Sequence, residues 1–405
     1  MRTVSIVVPT RDRGDTLTHT IRTLVEQEYE ALEIIVSDNA SSDDTHDVVS
    51  AFPDPRLKYV NTGKRLSMSD NWEFALGHAT GEFVGFIGDD DGYLPNAISG
   101  AMAALDAHAM DAIVWDKAEY CWPDHIDPAM QNWIVVKDRG RGLEVVRGQK
   151  KLRRVLEFHE SYARLPCLYS GIVRRSFVSS VRKASTNHRF FNGLTPDIYS
   201  GIALSMVVES YLSSATPFSV NGASRHSNGT SVMRSKTREA DSPAARFASE
   251  NNLVYDERIK LAPSTLVFVL GEYLEARKSI PGFRFPPPDW NRYVRALIKE
   301  SASSFGRAEI LESAAHTATL AGVSVALPDG QSPQRPSATG LEPQGNSLAF
   351  KAPLDMVSNI YDACKLIGSI VGSVQPSNTR DPFGRFIQRT AESLLFEAKN
   401  LYRSI

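Results

Sequence analysis

Short β-branched apolar runs alternate with amphipathic stretches through the first 115 residues. That alternation predicts a mostly parallel sheet covered by helices on both faces. Residues 4–8 form an apolar run ended by Pro9 and read as a first strand. Asp15 is placed to cap a helix whose Leu17, Ile21, Leu24 and Val25 share one face. Residues 34–36 are a second strand, followed by the polar turn 37–42, a short helix from about Asp43 and a third strand at 57–60. A helix around 72–76 leads into a fourth strand at 83–87, then a helix from Pro95 to about Ala107 and a strand at 113–115.

The pattern loosens beyond residue 116. Residues 150–158 look helical, 168–173 extended, and 196–212 helical with Pro196 in the first turn. Strand signals fade from about Arg234, and apolar spacing then predicts helices at 264–278, 290–301 and 308–320. A Pro/Gly/Ser-rich loop at 326–346 separates these from two more helices. Met356, Ile360, Ala363, Ile367 and Ile370 share a face of the first; Ile387, Ala391, Leu394, Ala398 and Leu401 share a face of the second. There is no internal repeat.

Length and composition narrow the class. A chain of 405 residues is long for one domain, and its 42% hydrophobic and 23% charged content is that of an ordinary soluble protein. The net charge of −2 hides an asymmetry, because residues 137–189 hold fourteen Lys and Arg against four Asp and Glu. Cys121, Cys167 and Cys364 are too few and too scattered for a disulfide framework or a zinc site, which points to a reducing compartment. The N-terminus enters a strand without a signal-peptide core, and no stretch reaches the roughly 18 to 20 apolar residues that span a bilayer. The expected location is the cytoplasm, with room for contact at the inner face of the membrane.

The chemistry concentrates at strand ends. Gly88-Asp89-Asp90-Asp91-Gly92 follows the fourth strand directly. Three adjacent carboxylates repel one another unless something positive lies between them. They read either as a solvated acidic turn or as hard oxygen ligands for Mg²⁺ or Mn²⁺. The first strand ends in Pro9-Thr10-Arg11-Asp12-Arg13 and the second in Asp38-Asn39-Ala40-Ser41. Parallel strands bring their carboxyl ends to one sheet edge, where ligands of open α/β sheets bind. An Arg, an Asp able to accept from a base N–H, and a metal-holding carboxylate set could together grip a nucleoside diphosphate. A dinucleotide fold fits badly, since the first turn offers only Gly14, and the Walker pattern and the EF-hand ligand spacing are both absent.

Residues 4–11, 33–42 and 83–95, in this order, resemble the N-terminal half of family 2 glycosyltransferases of the GT-A fold. The likeness covers 1–115 well and 116–235 loosely. It implies a GT-A glycosyltransferase domain at 1–235, with a nucleotide-binding half at 1–115 and an acceptor half at 116–235. A mainly helical C-terminal region at 236–405 would follow. The resemblance also implies that Pro9, Thr10, Arg11, Asp38 and Asn39 line the donor, with the Asp38 side chain meeting the uracil N3–H. The D-x-D element would place Asp89 on the ribose side and Asp91 on the metal, with Asp90 also at the donor. Many family members carry an Asp where this chain has Gly88, which leaves the register of the triplet open. Arg65 and Asn71 lie where the family often has an adjacent Arg-Asn pair near the donor; here they are six apart, and a surface Arg and a helix-start Asn are the alternative.

Asp197 is the candidate base, because inverting members use one carboxylate beyond the D-x-D strand to deprotonate the acceptor hydroxyl. An Asp in a helix's first turn is also favoured by the dipole alone. Arg225 and His226 lie on a loop from which related enzymes reach diphosphate and metal, and a plain Asn-Gly surface turn is the other reading. Arg147, Lys150, Lys151, Arg153 and Arg154 form a solvated face or a contact for an anionic lipid partner. No nucleic-acid partner is expected, since neither a binding motif nor aromatic interleaving accompanies the charge. The striped C-terminal helices read as core packing, with self-association or membrane docking as further uses. The expected activity is metal-dependent, inverting sugar transfer from a nucleotide sugar, a UDP-sugar above others, to a glycan or lipid-linked acceptor of a bacterial surface polymer. The rivals are a sugar nucleotidyltransferase, which would show a Gly-rich first loop, and a non-catalytic donor-binding or assembly module.

Overall fold

The computed structural model describes residues 1–137, 142–227, 250, 254–304, 306–326, 328 and 347–372. The first strands and helices alternate as β1 (Val4–Thr10), α1 (Gly14–Val25), β2 (Leu32–Asp38), α2 (Thr45–Ser50), β3 (Leu57–Asn61), α3 (Met68–His78) and β4 (Phe83–Phe86). Then come β5 (Gly92–Tyr93), α4 (Ala97–Ala107), β6 (Ala112–Trp115), β7 (Ala118–Cys121), β8 (Trp133–Lys137), β9 (Leu143–Arg147) and α5 (Gly148–Leu156). They are followed by β10 (Gly171–Arg174), α6 (Arg175–Ala184), α7 (Pro196–Leu204), β11 (Ser210–Ser214) and β12 (Ser219–Ala223). The C-terminal region contributes α8 (Thr265–Ser279), α9 (Trp290–Ser301), α10 (Arg307–Ala321), β13 (Ser347–Lys351) and α11 (Ile360–Gly372).

An 8-stranded sheet runs β3-β2-β1-β4-β10-β6-β11-β9, with a 5-stranded sheet β13-β8-β7-β12-β5 beside it. The first four strands of the large sheet are parallel, and β10 enters antiparallel between β4 and β6. Side chains of β1 alternate between two cores: Val7 joins one with Trp72, Phe86 and α7, while Ile6 and Val8 join the other with α1. This is the period of two that a central strand imposes.

Several sequence expectations shift, each for a physical reason. β1 runs through Pro9 to Thr10. Val4 N–H and Thr10 C=O bond toward β2, so the missing N–H of Pro9 faces β4 beyond its last paired position, Val7 with Phe86, and costs no ladder bond. Asp15 is not the cap of α1; Asp43 accepts from Gly14 N–H at 2.9 Å, so the helix starts earlier and Asp15 lies in its first turn. The helix expected at 196–212 stops at Leu204, and Ser210–Ser214 is a strand seated between β6 and β9. The strands β5, β7, β8, β9 and β13 and the helix α6 were not anticipated. β13 follows directly on the expected 326–346 loop and pairs with β8. Met356 precedes α11 and is 46% exposed, off the buried face formed by Ile360, Ala363, Ile367 and Ile370. The helix expected to carry Ile387, Ala391, Leu394, Ala398 and Leu401 lies outside the described residues, as do Asn228, Gly229 and most of the 326–346 loop.

Candidate active site

The carboxyl ends of β1 and β2 meet in register, Thr10 opposite Asp38. Thr10 is buried and its hydroxyl has no hydrogen-bond partner, an orphaned polar atom at the sheet edge where a nucleotide would lie. Asp38 is equally buried. Its Oδ1 accepts from Ser41 N–H at 2.8 Å, and its Oδ2 from Tyr59 Oη at 2.5 Å and Asn61 Nδ2 at 3.0 Å. Asn39 donates its backbone N–H to Thr10 C=O and fastens the Arg65 loop by exchanging two bonds with Leu66. Arg65 then reaches Asp12 at 2.7 Å, so the loops after β1 and β3 are tied together. Asn71 points inward, accepting from Ser37 Oγ at 2.8 Å beneath the sheet edge. Arg11 pairs with Glu250 at 2.5 Å.

The acidic triplet is almost dry: Asp89, Asp90 and Asp91 are 3%, 6% and 2% exposed. Asp89 accepts from Arg13 Nη1 at 2.7 Å, so Arg13 rather than Arg11 meets the acidic turn. Arg13 also donates to the His226 carbonyl, closing the 224–227 loop over the triplet. Asp90 accepts from Ser224 Oγ at 2.7 Å, and Asp91 from Gly222 N–H at 2.7 Å, Gly88 N–H at 3.2 Å and the Tyr169 hydroxyl. A β-carbon on Gly222 would stand 1.8 Å from the Asp90 carbonyl, so only glycine lets β12 come this close. A β-carbon on Gly88 would lie 2.9 Å from Asp91 Oδ2, so a side chain here would have to displace the Asp91 carboxylate. Burial, and then the charge of Asp91, push the Asp90 carboxyl up to about 7; burial raises Asp91 as well, against the pull of Lys117.

A cation would relieve that repulsion, and the donor set is hard oxygen only, which fits Mn²⁺ or Mg²⁺. Among the described residues no group of three or more His, Cys, Asp or Glu side chains converges on one point. An ion beside Asp91 and Asp89 would therefore draw most of its ligands from phosphate and water. The His226 ring lies against Asp15 at 3.5 Å and Arg225 at 3.0 Å, and Arg225 reaches Asp15 at 3.3 Å. Both residues predicted for metal and diphosphate thus rest on the first turn of α1, beside the triplet rather than in it.

Asp197 stands in the first turn of α7. It keeps part of its surface open while protein encloses most of its sides, and this burial raises its pKa against the Ile198 N–H and the Lys117 charge. The Tyr162 hydroxyl donates to its Oδ2 at 3.2 Å. Lys117 joins the two halves: its ammonium lies 4.2 Å from the Tyr169 ring centroid, donates to Asn221 at 3.1 Å, and acts electrostatically on both Asp91 and Asp197. Sequence reasoning missed Arg13, Lys117, Tyr162, Tyr169 and Ser224. Arg13 was legible in the first strand-end cluster; the other four carry no local signal.

Residues 5–163 match glycosyl transferase family 2. A GalNAc(5)-diNAcBac-PP-undecaprenol beta-1,3-glucosyltransferase of Campylobacter jejuni is 41% identical over 105 residues, which are 25% of this chain and 34% of that protein. The UDP-Glc:alpha-D-GlcNAc-diphosphoundecaprenol beta-1,3-glucosyltransferase WfaP of Escherichia coli is 29% identical over 99 residues, 24% of this chain and 39% of that one. The chain thus aligns to between 34% and 39% of the length of these relatives. Among solved structures, S. aureus TarS 1-349 in complex with UDP-GlcNAc superposes with a TM-score of 0.44 at 15% identity, covering 81% of this chain and 97% of that one.

Proposed function

We propose, from the match of residues 5–163 to glycosyl transferase family 2, that this chain moves a sugar from a nucleoside-diphosphate sugar onto an acceptor hydroxyl. The observation that carries the reading is that two carboxylate centres, the triplet and Asp197, both lie within electrostatic reach of the Lys117 ammonium. One centre suits a donor diphosphate and the other an acceptor hydroxyl.

On the donor side, the Asp38 carboxylate would accept from the base N–H and the unpartnered Thr10 hydroxyl would bond the nucleoside. Arg13 is held at Asp89, and Arg225 is 57% exposed on the facing loop, so both stand ready for diphosphate oxygens. Asp91, with Asp89, would hold a divalent cation, which when bound offsets the charge that develops on the departing diphosphate. On the acceptor side, Asp197 takes the proton of the acceptor hydroxyl as its oxygen bonds to the anomeric carbon. The bond to the β-phosphate oxygen breaks on the opposite face, and the nucleoside diphosphate leaves with the electron pair. Displacement in one step inverts the anomeric centre. A raised pKa suits a base that must still hold a proton when attack is complete.

The names of the two relatives support UDP-glucose as donor and a sugar on diphosphoundecaprenol as acceptor. Among the described residues no helix is long and apolar enough to cross a membrane, so a lipid-linked acceptor would be met at the bilayer surface. The test is release of UDP from UDP-glucose with Mn²⁺ and a GlcNAc-diphospholipid. Asp197→Asn should cut turnover at least a hundredfold while leaving UDP affinity unchanged. Turnover equal to the unmodified chain would reject the base; no release from any nucleotide sugar would reject the enzyme.

A further inference from the structure

Glu272 lies in the middle of α8 with no solvent contact. One oxygen, Oε1, accepts from Leu194 N–H at 2.9 Å, Thr195 N–H at 2.7 Å, Thr195 Oγ1 at 2.7 Å and Tyr255 Oη at 2.5 Å. The other, Oε2, has no partner and occupies the place of a side chain at position 193, where a β-carbon would lie 1.5 Å from it. A buried acid held this way is costly, and an apolar residue of similar size would serve packing better. What it specifies is the path of Leu194 and Thr195. Thr195 is the N-cap residue of α7, yet its hydroxyl makes no cap bond because it is committed to Glu272. Asp197 follows two residues later. The far end of α8 grips the same helix, with Ser279 Oγ 2.8 Å from Tyr199 Oη.

We propose that Glu272 is a positioning residue of the acceptor side. From the C-terminal helix it fixes the entry to α7, and through it where the Asp197 carboxylate stands against Tyr162. The C-terminal region is then part of the catalytic cleft rather than an appended module. The proposal rests on reading Asp197 as the base. It assigns to α8 a role that no helix-face pattern would reveal, since Glu272 sits among apolar neighbours as the odd residue.

A double-mutant cycle in the full chain tests it, using UDP release from UDP-glucose with Mn²⁺ and the GlcNAc-diphospholipid. Glu272→Ala should lower turnover at least tenfold with UDP affinity within twofold of the unmodified chain, and Glu272→Gln, which keeps the accepting oxygen, should recover at least half. In an Asp197→Asn background the same Glu272→Ala change should cost less than twofold. Thr195→Val removes a single donor and should repeat the pattern at threefold or more, which keeps the test alive if Glu272→Ala does not fold. Equal losses in both backgrounds, or no loss from either variant, would overturn the positioning role while leaving sugar transfer intact. An unmodified chain that releases no UDP, or an Asp197→Asn variant as fast as it, would overturn the functional reading and this proposal with it.

Discussion

Three adjacent carboxylates at a strand end read as either a solvated turn or a cation site; their burial removes the first reading and leaves a charge that an Arg partly offsets. Which Arg answers it was not legible. Asp12 turns the chain with φ 51°, so Arg13 faces Asp89 while Arg11 swings to Glu250. Lys117 was invisible for another reason: a lone Lys after a strand is ordinary, and its role arises only when Asn221, Tyr169, Asp91 and Asp197 assemble around it. Its charge holds down the pKa of an Asp197 that burial has raised. A base must be ionised, so activity falls as pH drops through that pKa. Lys117→Met removes the charge at similar volume and lets the Asp197 pKa rise further. The acid limb of the rate profile should therefore move to higher pH. Rates of UDP release from pH 5 to 9 measure this, and an unmoved acid limb with a lower plateau would mean that Lys117 acts elsewhere.

At the scale of elements, the alternation from β1 to β4 was readable because strand and helix periods differ and each element buries one face. Reading failed where a short apolar run fits either period. Tyr211 and Leu212 looked like the tail of α7, and only their burial between β6 and β9 makes them strand. α11 shows what pattern cannot supply. Its buried stripe was foreseen, yet not its target, the back of the acidic turn. A β-carbon on Gly92 would meet Cys364 Sγ at 2.6 Å and Ile360 and Thr23 at 3.1 Å. Gly92→Ala should therefore push the turn forward, costing about 1 to 3 kcal/mol of stability as overpacking does. It should weaken Mn²⁺-dependent UDP binding in the same variant. Adding Cys364→Ala frees the tightest contact and should restore much of both, a recovery that thermal melts and UDP titration would register. Binding that stays weak in the double variant would place the strain at Ile360 or Thr23 instead.

For the whole molecule, a net charge of −2 gives no overall attraction to an anionic surface, so any contact with a bilayer must come from one face. A candidate for such a face lies at the edge of the large sheet. Val145 on β9 is 57% exposed and Leu143 40%, and Arg147, Lys150 and Arg153 are exposed where the chain passes into α5. Lys151 and Arg154, by contrast, are both engaged with Glu160 and have less to offer a membrane. Basic side chains near an anionic leaflet contribute about 1 kcal/mol each, so Arg147, Lys150 and Arg153 together would change partitioning by about a hundredfold. The chain should sediment with phosphatidylglycerol vesicles at low ionic strength and remain in solution with phosphatidylcholine ones. In 1 M salt, where screening acts within about 3 Å, the difference should vanish. The triple change Arg147→Glu, Lys150→Glu and Arg153→Glu should abolish sedimentation yet leave turnover on a detergent-soluble acceptor intact, since none of these residues touches the cleft. Sedimentation that survives the triple change would move the contact to another face of the molecule.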